Sequence, residues 1–278
     1  MSESPPPERP ARDAEGLSYR LAVQLLGWGG VVFLVFPVLV TALVSFNASF
    51  FIEVPPRAFS LDWYRNIAAI HQIVPATLTS LLVATIAATL VTVLAIGAAI
   101  AIVRTPIPGK AALTAFLLSP VAVPVVAIGI ALVQYLIMLG IAFTWYGLVL
   151  AHMVLVAAYP IRTLVASMTL YNPSLEEAAA SLGASRWVVF LTVTLPQLKP
   201  GLVSGFLFAF LISFDNYPIS VFLVRGGLTT MPIELFNYIS QNFDPTPAAF
   251  STVYILVVSA VVILVEKRYR IVSLSVGR

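Results

Sequence analysis

The 278-residue chain contains no cysteine, which excludes a disulfide framework and a thiolate metal site. Charge is scarce as well. Only 10% of residues are charged and 60% are apolar, whereas soluble domains carry about 25% charged residues. A soluble core of this size could not bury so much apolar surface, so lipid is the solvent this composition requires. Histidine occurs only twice, as His71 and His152, far apart and without a nucleophile motif or metal-ligand spacing beside either. A phosphate cradle is missing too. A P-loop needs Gly-x-x-x-x-Gly-Lys-Ser/Thr, and around Gly109-Lys110 the first glycine position is Arg104 and the hydroxyl position is Ala111. Neither ATP hydrolysis nor any other catalysis is expected of this chain alone.

What is present is a series of long apolar runs. A membrane crossing takes roughly 20 apolar residues. Six segments qualify, at about Leu21–Phe46, Ile73–Val103, Ala111–Met138, Ile141–Ile161, Gly201–Leu223 and Ala249–Val265. Leu139-Gly140 leaves little turn between the third and fourth, and Pro120 and Pro124 should kink the third. The isoelectric point near 9.3 does not point to nucleic acid, because the basic residues flank the apolar runs. Of the 15, twelve fall on one side (Arg9, Arg12, Arg20, Arg104, Lys110, Arg162, Arg186, Lys199, Lys267, Arg268, Arg270, Arg278) and three on the other (Arg57, Arg65, Arg225). By the positive-inside rule both termini are cytoplasmic. The expected organisation is an all-α membrane protein with a disordered tail over residues 1–20, a six-helix domain over 21–268 and a second tail over 269–278. The first run is longer than a signal-peptide core and lacks a convincing cleavage site, so it reads as an uncleaved anchor. No internal repeat is visible.

Two outer loops, about 47–72 and 224–248, carry Trp63, Tyr64, Phe236, Tyr238 and Phe243. These aromatics suit an interfacial belt or a docking surface for an external partner. Within the spans, Asp215 stands in Ser213-Phe214-Asp215-Asn216-Tyr217-Pro218 and is the strongest candidate for a path residue. Two readings stand: a cavity-facing carboxylate that attracts a cation, with Ser213, Asn216 and Tyr217 beside it, or a structural group that pairs with Arg225 or caps a broken helix. His152 suits an interhelical hydrogen bond better than a proton relay. Gln134 and Tyr135 suit bridging between helices.

The longest inner interruption lies between the fourth and fifth runs. Asn172-Pro173-Ser174 starts a helix, and Ser174 with Glu177 forms the pattern of a capping box. Glu176 and Glu177 suit the positive end of the helix dipole. Gly183 permits a C-terminal turn. A second helical stretch, about Ser185–Thr194, should end at Leu195-Pro196. By itself this is a capped amphipathic hairpin.

The spacing says more. Glu177-Ala178-Ala179, three residues, Gly183, nine residues, then Val193-Thr194-Leu195-Pro196 resembles the EAA loop of binding-protein-dependent ABC importer permeases, with Val193 where that family prefers Ile. The resemblance spans roughly residues 70–265 and implies the type I importer permease fold, with the loop at about 172–199. It implies that the loop docks on a separate ATPase, with Glu177 making the main polar contact and Ala178, Ala179, Gly183, Leu195 and Pro196 shaping the helix. It further implies two permease subunits, two ATPase subunits holding ATP and magnesium, an extracytoplasmic binding protein, and alternating access in a bacterial inner membrane. This chain itself would bind no cofactor. The segments Phe214-Asp215-Asn216-Tyr217, Thr229-Thr230-Met231-Pro232 and Asp244-Pro245-Thr246-Pro247 resemble the spermidine/putrescine branch, its second permease subunit. That implies a heterodimer and a polyamine-like cargo, with opines, phosphonates and amino-acid derivatives as other solutes of similar systems. An ion-coupled secondary transporter, which would move solute without ATP, and a membrane scaffold, which would show no flux, are the rival classes.

Overall fold

A computed structural model describes residues 11–269, with side chains from Tyr19 onward. Residues 1–10 and 270–278, and the parts of the expected tails that fall on them, lie outside the described residues. Among the described residues the chain is helical apart from loops and one isolated β-bridge between Asn47 and Phe59. The described residues divide into two compact units, 11–67 with 243–256, and 68–242 with 257–269.

In the first unit, α1 (Ala11–Ser45) begins inside the stretch expected to be a disordered tail. Ala11, Ala14 and Glu15 are good helix formers, and helix propensity here prevails over the low apolar content. Between Leu21 and Leu39 its side chains are exposed, as befits a surface solvated by lipid or by another chain. At its far end Ser45 Oγ meets Tyr64 Oη at 2.7 Å, and Trp63 Nε1 donates to the Asn47 carbonyl at 2.5 Å. Both aromatics thus fasten the loop and the short helix α2 (Asp62–Asn66) to the end of α1. Asn66 Nδ2 donates to Thr246 Oγ1 at 2.9 Å, which ties α2 to the start of α14 (Thr246–Tyr269).

In the second unit, α3 (Ile73–Arg104) is central and packs against α6 (Trp145–Val156), α7 (Ala158–Thr169), α11 (Lys199–Phe214) and α13 (Met231–Gln241). Its buried face carries Ala76, Ala84, Ala87, Ala88, Ala95 and Ala99. Lipid gives helices no hydrophobic drive to associate, so small residues that let backbones approach supply dispersion contacts instead. The same device joins α7 to α11. A Cβ on Gly205 would lie 2.5 Å from Thr163 Oγ1 and 2.8 Å from Pro160 Cα.

Among the described residues three helices are long and apolar enough to cross a membrane, or up to six crossings if each of three bent pairs counts as one. As the prolines foretell, the third run is α4 (Lys110–Leu118), a 3₁₀ turn at Ser119–Val121 and α5 (Val125–Met138), bent by 101°. The fourth run extends eight residues beyond its expected end at Ile161 to Thr169, with a 41° bend where Pro160 withholds an amide from the helix ladder. The fifth run is interrupted: α11 stops at Phe214 and, with two residues between, the helix resumes as α12 (Tyr217–Leu223).

Candidate functional site

The loop between α7 and α11 folds as the helix α8 (Ser174–Ser181), then α9 (Arg186–Val189), a π-helical turn at Phe190–Thr194 and a last turn α10 (Leu195–Gln197). The expected capping box does not form. Asn172 Oδ1 accepts from the Ser174 amide at 3.1 Å, while Ser174 makes no side-chain cap bond. Asn172 precedes Pro173 and reaches the first free amide before Ser174 can. Gly183 does close the helix. With φ +85°, it donates to the Ala180 carbonyl at 2.9 Å, and Ala184 donates to Ala179 at 3.1 Å, which is the paired-bond C-terminal motif that favours glycine. Leu195-Pro196 does not end the second arm, because proline is tolerated in the first turn of a helix, and the chain turns by 64° only at Leu198.

The two adjacent glutamates face different ways. Glu176 turns inward, where Arg104 at the end of α3 donates from both terminal nitrogens to its two carboxylate oxygens at 3.0 Å each. Thr194, at the close of the π-helical turn, also donates to that carboxylate. The extra residue of the π turn re-aims Thr194 toward it. The Arg104 guanidinium lies 4.8 Å from the centre of the Tyr171 ring. The Tyr171 hydroxyl is enclosed beside the carboxylate without a hydrogen bond of normal geometry. Burial works against ionising Glu176. Donation by Thr194, the nearby Tyr171 hydroxyl and the Arg104 charge outweigh it and hold the carboxyl below its ordinary value. Burial and the Glu176 charge push the Tyr171 phenol up.

Glu177 is exposed, as are Ala178, Gly183 and Pro196, with Ala179 and Leu195 half-buried. A groove of about 390 Å³ opens between the arms, with Glu177, Ala180, Ala184, Arg186 and Phe190 on its walls and the Arg104–Glu176–Thr194 cluster in it. Around it Leu182 is 90% and Trp187 73% exposed, more apolar surface than a small solvated hairpin would carry. Sequence reasoning singled out Glu177 and passed over Glu176. Only the position of Arg104, remote in sequence, distinguishes them.

At the break in the fifth run, α11 places Asp215 roughly 24 Å from Lys199 at 1.5 Å per residue. Asp215 is exposed and makes no ion pair among the described residues. Arg225, the partner considered for it, instead lies over the Phe143 ring at 5.5 Å. Asn216 is occupied structurally, since its Oδ1 accepts from the Ile219 amide at 2.9 Å and caps α12. Ser213 is buried and bonded to His152. Tyr217 packs its ring 4.8 Å from that of Phe236. Of the four residues considered for a path, only Asp215 is exposed. Gln134 and Tyr135, expected to bridge helices, are exposed and make no side-chain hydrogen bond among the described residues.

The chain is similar to known transport proteins. Residues 92–271 match the family model described as "binding-protein-dependent transport system inner membrane component". The putrescine transport system permease protein PotI of Escherichia coli is 31% identical over 241 residues, 84% of each chain. The spermidine/putrescine transport system permease protein PotC of Haemophilus influenzae is 28% identical over 232 residues, 84% of this chain and 90% of that one. The molybdenum transport system permease protein ModB of Escherichia coli is 29% identical over 182 residues, 60% of this chain and 80% of that one. A crystal structure of a bacterial ABC transporter involved in the import of the acidic polysaccharide alginate contains a chain of the same fold, with a TM-score of 0.68 at 15% identity over 94% of this chain and 99% of that one. The chain therefore belongs to the inner-membrane component family of binding-protein-dependent transport systems.

Proposed function

We propose that this chain is one of two permease subunits of an ATP-driven importer in a bacterial inner membrane, with both termini cytoplasmic, and that it carries a small organic cation of the polyamine class. The reading is carried by Asp215, an exposed carboxylate without an ion-pair partner at a helix break deep in a span. Facing lipid, such a group would cost several kcal/mol, so its exposed side suits a water-filled path shared with a second permease. The C-terminal end of α11 beside it is the negative end of that helix's dipole and adds to the attraction for a cation. The same features would repel an anion. Relatives named for putrescine and spermidine support the same class.

The α8–α10 loop would seat in a groove of the partner ATPase, which holds ATP and magnesium. Glu177 supplies the polar contact, Leu182 and Trp187 the apolar one, and Glu176 fastens the loop to α3. A push on α8 then moves α3, α7 and α11 together, because Gly201 and Gly205 let α11 lock against Thr163, Ser167 and Pro160. An external binding protein delivers the cargo when the permease pair opens outward. The test is uptake of labelled putrescine by liposomes holding the assembled transporter. Asp215→Asn should lower uptake of the cation by about tenfold or more, since a close charge pair at an effective dielectric of about 20 is worth several kcal/mol. Wild-type uptake in Asp215→Asn, or putrescine uptake that does not require ATP, would refute the reading.

A further inference from the structure

His152 is the one histidine buried in the second unit, 1% exposed on α6, and the transport reading leaves it without a task. Its two ring nitrogens reach across to opposite sides of the break in the fifth run. Nδ1 lies 2.8 Å from Ser213 Oγ, near the end of α11, and Nε2 lies 3.2 Å from Ser220 Oγ, within α12. The two serines are themselves 2% and 0% exposed. The donor pattern follows from what Ser220 does with its proton. That hydroxyl donates to the Asn216 carbonyl at 2.7 Å, so it can only accept from the ring. Nε2 therefore carries the hydrogen, and Nδ1 of the neutral ring accepts from Ser213. Every polar group in the cluster is then satisfied without a charge, which is the arrangement a low-dielectric interior demands.

We infer that His152 is a positioning residue that clamps α11 and α12 at a fixed separation and so holds Asp215 outward at the break. The geometry favours this over simple helix gluing. A hydrogen bond to one helix would serve for cohesion, whereas this ring engages residues two before and five after the carboxylate. Between them, Asp215 closes α11 by donating its amide to the Leu211 carbonyl at 3.2 Å, and Asn216 opens α12. No other side-chain bond spans the two residues of the break among those found in the described residues. With the clamp removed, α11 and α12 can rotate or join, and a joined helix would carry position 215 to another azimuth. The inference rests on the reading of Asp215 as a path residue.

The chain has no cysteine, so Asp215→Cys places its only thiol at the break. The assembled transporter carrying this change is treated with a water-soluble cationic thiosulfonate, and the modification rate is measured in the parent and in clamp variants. His152→Phe fills the ring volume without hydrogen bonds, and Ser213→Ala and Ser220→Ala each delete one. We expect modification in the parent, a rate lower by about tenfold in His152→Phe, where two bonds are lost, and smaller reductions of about threefold in each serine variant. His152→Gln, which can donate to one serine and accept from the other, should restore most of the parent rate. If His152→Phe does not assemble, the serine variants and His152→Gln carry the test. Equal rates in the parent and all clamp variants, or a His152→Gln rate as low as that of His152→Phe, would overturn the inference while leaving Asp215 on the path. An unreactive thiol in the parent would overturn the path reading, and the clamp with it.

Discussion

The α8–α10 loop and the broken fifth run hold their polar groups by different chemistry. Each holds one polar residue inward and leaves a carboxylate close by exposed. In the loop the inward residue is Glu176, fastened by a bidentate bond from Arg104, and the free one is Glu177. In the span the inward group is the Ser213–His152–Ser220 chain, and the free carboxylate is Asp215. The loop uses an ion pair because Arg104 and Glu176 keep 33% and 22% of their side-chain surface exposed, and partial hydration limits the desolvation penalty. In the span the partners are almost fully buried, and an ion pair would lose more to desolvation than it returned. Neutral hydrogen bonds serve there instead. The medium decides which fastener is usable.

The contrast can be tested from its strongest element downward. Gly205→Leu strikes the packing of α7 against α11 that both regions depend on. A side chain there collides with Thr163 and the Pro160 backbone. We expect a loss of at least about 3 kcal/mol and failure to assemble, read as loss of monodisperse protein in detergent. Next, Arg104→Met leaves Glu176 without its main partner and should destabilise the loop by about 1–2 kcal/mol, discounted for exposure. Arg104→Met with Glu176→Gln should recover part of that, measured as thermal stability in a double-mutant cycle. A fully additive pair would refute the fastening.

The same ion pair has a pH signature. Because the folded state holds Glu176 below the ordinary carboxylate value of 4.5, its ionisation adds stability that is fully present above pH 4.5. That contribution fades as the pH falls below this value, where folding must give up the preference for the charged form. Thermal melts of wild type and Glu176→Gln should therefore converge in acid and diverge toward neutrality. Parallel curves across that range would show that the carboxylate is not held by charge.

Glu177→Ala should change folding by no more than about 0.5 kcal/mol, as for an exposed surface position, yet abolish ATP-driven uptake. Stability and transport measured on one preparation separate the two glutamates. Uptake unaffected by this change would end the assignment of Glu177 as the outward contact. The smallest effect concerns the helix start. Asn172→Ala should cost about 1 kcal/mol, and Ser174→Ala much less, because the asparagine and not the serine satisfies the free amide.

Much of this architecture is legible in the chain itself. Runs of apolar residues foretell the spans, Pro120 and Pro124 foretell the sharp bend, and Gly183 foretells the helix end, because each acts on its own neighbourhood. The misreadings came where two local signals competed. Ser174 and Asn172 both suit a helix start, and the residue placed to reach the first amide prevailed. Leu195-Pro196 looked like a stop, but a proline in the first turn removes an amide that has no partner to lose. At Tyr217-Pro218 a broken helix was one of two readings of Asp215, and it is Asn216, not Asp215, whose side chain caps the resumed helix.

The sequence alone determined that this is a membrane protein with a series of long apolar runs and a capped, small-faced helix between the fourth and fifth of them. These follow from transfer free energy and from backbone preferences acting over a few residues. Which of two neighbouring glutamates turns inward was decided only in three dimensions, by an arginine 72 residues away. Whether Asp215 pairs or stands free was decided there too, by a phenylalanine ring that occupies Arg225 and a histidine that grips both sides of the break. Electrostatic and hydrogen-bonding choices depend on distance in space, and no pattern along the chain encodes that distance.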